Sequence, residues 1–188
     1  TDYENISSRI INEQFSIVPQ ENRHFSKTIR QNIDQVLEQT NPDNKSRTDF
    51  NDAYEISQLE GDIAEFKNGL DTMLGEHGIN LSGGQKQRLS ILRALVKPRE
   101  ILLMDDFISA VDHKTETQIV DGLYKHLTNE TLIFISHRVS ALIPCDEILI
   151  MDNGRIIDKG SHEELLKKND IYRHTYEHQV LEKKLEDI

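Results

Sequence analysis

Two apolar runs, Ile101-Leu-Leu-Met104 and Leu132-Ile-Phe-Ile135, flank a stretch with helical patterning, and this alternation restricts the fold more than any other feature. Runs of this length suit strands buried in a sheet. Strands separated by a helix pair in parallel, because the crossover returns the chain to the same end of the sheet. Asp112 can cap the intervening helix, which runs roughly from His113 to His126. Phe15-Ser-Ile-Val18, stopped by Pro19, reads as an earlier strand, and Thr131–Ser136 and Glu147–Met151 read as further buried ones. The expected class is α/β, a parallel sheet with helices.

The long connection between the first two strands is mostly helical. Thr28–Leu37 reads as a helix ahead of Asn41-Pro42-Asp43-Asn44. Residues 49–65 read as one helix, since Phe50, Ala53, Ile56, Leu59 and Ile63 recur at helical spacing. Gly69, Gly75 and Gly78 mark a loop, and Ser82 can cap a helix that carries Leu89, Leu92, Leu95 and Val96 and stops at Pro98. Further on, Asp152-Asn153-Gly154-Arg155 forms a turn into Ile156-Ile157, a hairpin pattern. The chain from His162 onward is helical. Three regions are expected: 1–25 with the first strand, 26–98 as an inserted helical subdomain, and 99–188 as the remaining core with its C-terminal helices.

The net charge of −11 argues against nucleic acid as a partner, because phosphate-binding surfaces need clustered Lys and Arg. A single nucleotide needs only a few local groups and is not excluded. One cysteine, Cys145, rules out an internal disulfide and CxxC metal ligation, and fits a reducing compartment. No run approaches the roughly 20 apolar residues that span a bilayer, and the polar opening Thr1-Asp2-Tyr3-Glu4 has no signal-peptide character. The 188 residues by themselves are expected to be soluble and cytosolic.

Five features carry chemistry. In Leu81-Ser82-Gly83-Gly84-Gln85 a capped helix opens on two glycines, so backbone N–H groups and the positive helix end are open to an anion. The same residues would serve a helix that is merely capped. Asp105 and Asp106 end a buried strand, where a carboxylate can hold Mg²⁺. Ser109-Ala110-Val111-Asp112 follows closely, with Asp112 also a good helix cap. His137 comes directly after a strand, within reach of a terminal phosphate, and Gln20 follows the first strand as a neutral group able to ligate Mg²⁺ or orient water.

In order and approximate spacing this set resembles the ATP-binding cassettes of ABC transporters. Gln20 is similar to the Q-loop, Leu81–Gln85 to the signature, Ile101–Asp106 to the Walker B strand, Ser109–Asp112 to the D-loop and His137 to the H-loop. The resemblance implies a partial RecA-like parallel sheet with an inserted α-helical signature subdomain, and ATP and Mg²⁺ as cofactors. It implies a composite site in which Ser82, Gly83, Gly84 and Gln85 serve the ATP of a second cassette. Asp105 and Gln20 would then attend the metal, and Asp106, His137 and Gln20 the hydrolysis. Val18-Pro-Gln-Glu with Phe25–Ile33 resembles the exporter segment that touches the coupling helices of a transmembrane domain, and Thr72–Gly78 resembles the exporter-specific X-loop. Tyr172–Gln179 is similar to the C-terminal helix of bacterial exporters. By the resemblance, the full-length protein works at the cytoplasmic face of the membrane.

Two departures alter this expectation. None of the nine glycines begins G-x-x-x-x-G-K-[ST], the family's phosphate loop. The expectation is a truncated piece of a longer subunit, inactive alone, whose phosphate loop and transmembrane domain lie upstream. The second is Asp106, where efficient family members carry Glu. Asp is one methylene shorter, and a displacement of about 1 Å can cost roughly 10²-fold in rate. Asp here resembles one subunit of a heterodimeric exporter with a degenerate site. An inert regulatory cassette and a soluble non-transport ATPase are the alternatives.

Overall fold

The computed structural model describes residues 14–38, 48–75, 81–97 and 99–186. The turn expected at 41–44, the loop marker Gly78 and the stop at Pro98 lie outside them. The chain divides into two compact units, Thr1–Ile135 and Ser136–Ile188.

The first unit is built on three parallel strands, β1 (Phe15–Val18), β2 (Ile101–Asp105) and β3 (Thr131–Ile135), in the order β1-β2-β3. Val18 pairs with Met104, and Met104 with Phe134, so all three strands end at the same edge. The long insertion carries α1 (Ile29–Glu38), α2 (Phe50–Ser57), α3 (Glu60–Glu65) and α4 (Gly83–Val96), and α5 (His113–His126) joins β2 to β3. On one sheet face Val18, Leu102 and Met104 are fully buried. That face is tied to α4 by the Ser16 hydroxyl, which donates to the carbonyl of Ala94 at 2.8 Å. Phe107 and Tyr124 close over Phe134, with ring centroids 5.0 and 6.3 Å away. Leu89, Leu92 and Leu95 of α4 and Ile119 and Leu123 of α5 complete this core.

Three expectations need correction. Residues 49–65 form two helices, because Gln58 takes a left-handed conformation (φ 54°) that closes α2. Leu59 nevertheless stays buried at the start of α3, so the helical spacing of apolar residues survives the break. The strand at 131–135 is not fully buried: it is an edge strand, and Ile133 and Ile135 are 42% and 52% exposed on the sheet face away from α4. The strand at 147–151 is also not buried and does not join the parallel sheet. It is β4 (Ile148–Asp152), paired antiparallel with β5 (Arg155–Gly160) in the second unit, with Leu149 and Met151 exposed.

In that second unit the hairpin turns at Asn153 and Gly154, both at positive φ (47° and 75°), the geometry that Asn-Gly supplies at little steric cost. The described helices of the same unit are α6 (Val139–Leu142), ahead of the hairpin, and α7 (His162–Lys168) and α8 (Asp170–Glu186), after it. Val139, Ile148, Leu165 and Tyr172 form its core. Among the described residues no helix is long and apolar enough to cross a membrane.

Candidate functional site

Helix α4 opens with a complete capping box. The Gln85 N–H donates to Ser82 Oγ at 3.2 Å, and the Ser82 N–H to Gln85 Oε1 at 2.9 Å. Ser82 accepts with its oxygen and keeps a hydroxyl proton to donate. The first-turn N–H groups of Gly83 and Gly84 have no partner within the helix, and Ser82 and Gly83 are exposed. Two further contacts fix this turn. Gln85 Nε2 donates to Asp62 Oδ1 at 2.9 Å, and Arg88 meets Asp62 Oδ2 at 2.5 Å, so one carboxylate of α3 holds both.

Asp105 and Asp106 stand at the carboxyl end of the central strand, both half-buried. The register sets Asp105 one residue beyond Met104 and Gln20 two beyond Val18, at the same edge of adjacent strands. Gln20 is exposed there. Asp106 has left-handed backbone (φ 46°), unusual for a residue other than Gly. Its N–H donates to Ile135 O at 2.8 Å, which fastens the turn to β3. Ser109 donates from Oγ to the Asp106 carbonyl at 3.0 Å. Asp112 caps α5, its carboxylate accepting from the Thr115 N–H at 3.0 Å and the Thr115 hydroxyl at 2.7 Å. Those two donors, the N–H first, hold its pKa below the usual carboxylate range.

The segment that follows Gln20 is fastened to α4. His24 is buried, and its Nε2 lies 2.9 Å from the carbonyl of Lys86 while Arg93 approaches Nδ1 at 3.4 Å. Burial is the main reason its pKa falls to about 4, with the positive charges of Arg93 and Lys86 adding to it. Arg93 also donates to Arg23 O at 3.0 Å and lies 5.6 Å from the Phe25 ring centroid. Buried Asn32 completes the fastening, accepting from the Phe25 N–H at 2.8 Å and donating to the Phe25 carbonyl at 3.0 Å.

His137 belongs to the second unit, where its ring is exposed. Gln179 of α8 sets its backbone, donating to His137 O at 2.7 Å and accepting from the Val139 N–H at 2.8 Å. Within the first unit, then, Gln20, Asp105 and Asp106 share one sheet edge, and Gly83 and Gly84 meet Ala110 at the head of α4. His24, Asp62, Gln87 and Gln179 were not marked as site residues from the sequence. For Gln87 a signal exists, a polar residue among the apolar positions of a buried helix. For the others none does, because their partners are distant in the chain.

The donors fit the expected ligands: Asp105 and Gln20 offer hard oxygens of the kind Mg²⁺ prefers, and bare glycine N–H groups at a helix start suit phosphate. Carboxylates at the carboxyl end of a parallel sheet, beside such a helix start, define an α/β nucleotide-binding domain. The chain belongs to the ABC transporter family, whose description matches residues 1–109. It is 42% identical over 164 residues to the probable multidrug resistance ABC transporter ATP-binding/permease protein YheI of Bacillus subtilis (strain 168), a match over 87% of this chain and 27% of that protein. It is 39% identical over 159 residues to the ATP-dependent lipid A-core flippase of Vibrio vulnificus (strain CMCP6), over 85% of this chain and 27% of that one. The fold matches a bacterial Atm1-family ABC exporter with ATP bound at a TM-score of 0.85 and 34% identity, covering 96% of this chain and 31% of the exporter. The chain thus spans less than a third of the length of these relatives.

Proposed function

We propose that this chain is part of the ATP-hydrolysing cassette of an ABC exporter, one half of a heterodimer whose two cassettes close on ATP to drive transport. The observation that carries this reading is the shared sheet edge of Gln20, Asp105 and Asp106, together with the open, capped head of α4. Asp105, with Gln20, holds Mg²⁺, which supplies positive charge to the phosphates. Asp106 orients the attacking water and accepts its proton, weakly because its carboxylate is one methylene short. His137 donates to the terminal phosphate. Ser82, Gly83, Gly84 and Gln85 bind the phosphates held by the partner cassette, and Ser109 and Asp112 form the loop facing it. Gln20 also passes the state of the site to the coupling helices of a transmembrane domain, at the cytoplasmic face of the membrane.

Replacing Asp106 tests this directly. In the full-length subunit with its partner, Asp106→Glu should raise ATP turnover by up to about 10²-fold at this site, measured as phosphate release at saturating Mg-ATP. An unchanged rate would remove the degenerate-site reading and favour an inert cassette.

A further inference from the structure

Gln87 lies in the second turn of α4 and is 1% exposed. Its amide is engaged at both ends. Nε2 donates to the carbonyl of Asp106 at 2.8 Å and approaches Ser109 Oγ at 3.3 Å, while Oε1 accepts from the Ala110 N–H at 3.0 Å. A left-handed non-glycine residue is strained and persists only where its surroundings dictate it. At Asp106 those surroundings are Ile135 O on the N–H side, and Gln87 with Ser109 on the carbonyl side.

The far end of this bracket reaches the signature. A Cβ on Gly84 would lie 2.9 Å from Ala110 O, and one on Gly83 would lie 3.6 Å from Ala110 Cβ. Ala110, whose N–H Gln87 holds, therefore sits directly against the two glycines that open α4. A side chain at Gly84 would not fit between the head of that helix and the 106–110 turn without a shift. The two move as one block only while something joins their backbones, and Gln87 does so with bonds to both Asp106 and Ala110.

We propose that Gln87 is a positioning residue that couples the Asp106 carboxylate of one ATP site to the signature turn serving the other. Nucleotide bound at the signature of α4 then sets the Asp106 turn through Gln87. This inference rests on the composite-site reading above.

The test uses the full-length subunit paired with its partner, titrated with a non-hydrolysable ATP analogue and followed by amide hydrogen exchange. In the unmodified protein, peptides covering 82–90 and 104–112 should gain protection over the same concentration range. In Gln87→Met, which keeps the length but loses both bonds, the two midpoints should separate by threefold or more. Gln87→Glu retains an acceptor for Ala110 and loses the donor to Asp106. It should loosen 104–107 and spare 108–112, and it serves if the Met variant does not fold. Coincident midpoints in both variants would overturn the proposal. A second arm measures kinetics in the Asp106→Glu background, where Gln87→Met should abolish the gain in kcat with KM for ATP shifted less than threefold. A retained gain overturns the positioning role. An absent gain in Asp106→Glu itself counts against the degenerate-site reading alone, and the exchange measurement still decides the role of Gln87.

Discussion

His24 is neutral because its ring is enclosed and the positive charges of Arg93 and Lys86 stand beside it, and these outweigh the bond from Nε2–H to Lys86 O, which favours the protonated ring. Its pKa of about 4 lies below the ordinary 6.5. The unfolded chain therefore binds more protons between those values, and stability falls as pH drops through that window. The loss at pH 4 should be roughly 3 kcal/mol at most, following from the usual conversion of pKa to free energy. Chemical denaturation of the parent subunit at pH 7 and pH 5 should show that loss developing, and His24→Gln should flatten the slope between the two. An unchanged slope would mean that His24 protonates freely. None of this was legible in the sequence, since His24 and Lys86 are 62 residues apart. The capped head of α4 was legible because Ser82 and Gln85 cap one another locally, and the Asp112 cap likewise because Thr115 is three residues on. Asp62, which holds Gln85 and Arg88, is a surface-type residue until the tertiary fold turns α3 toward α4.

At the scale of elements, apolar spacing located the helical stretch over 49–65 and helix α4, but gave no sign of the break at Gln58. Left-handed backbone at a residue other than Gly or Asn carries little compositional signal. The spacing also left the meeting of α2 and α5 unseen. There Gly122 faces Ile56, and a Cβ on Gly122 would stand 3.3 Å from both Cα and Cγ1 of Ile56. The glycine allows the two helices to approach backbone to side chain. Gly122→Ala sets a helix-propensity gain of about 1 kcal/mol against this crowding and should change stability little. Gly122→Leu cannot be accommodated without moving α2 and should destabilise by about 1–3 kcal/mol. Thermal unfolding of the parent subunit would check both, and a neutral Leu variant would mean the crossing is loose. The position of β4 was misjudged for a related reason. Its apolar run resembles that of β2, yet the Asn153-Gly154 turn returns the chain at once, and the strand pairs with its own hairpin partner.

Over the whole molecule, the parallel sheet carries a contradiction between its sequence and its surroundings. Parallel strands are ordinarily covered on both faces, and their continuous apolar runs reflect that. Leu132-Ile-Phe-Ile135 is such a run, but only the face bearing Phe134 is covered by Phe107 and Tyr124. Ile17, Ile133 and Ile135 share the opposite face and are exposed. The composition of β3 is therefore suited to a strand enclosed on both sides, while the row Ile17, Ile133 and Ile135 stands exposed on one of them. Two contexts should respond with opposite sign to one substitution. In the isolated chain, Ile133→Lys should reduce binding of a hydrophobic dye severalfold and lessen self-association. In the parent subunit, if the same face is enclosed there, the lysine would bury an unpaired charge and should lower stability by several kcal/mol. Dye fluorescence on the first and thermal unfolding on the second separate the cases. A lysine tolerated in both would mean that this face is built to meet water, and that the apolar run in β3 has some purpose other than enclosure.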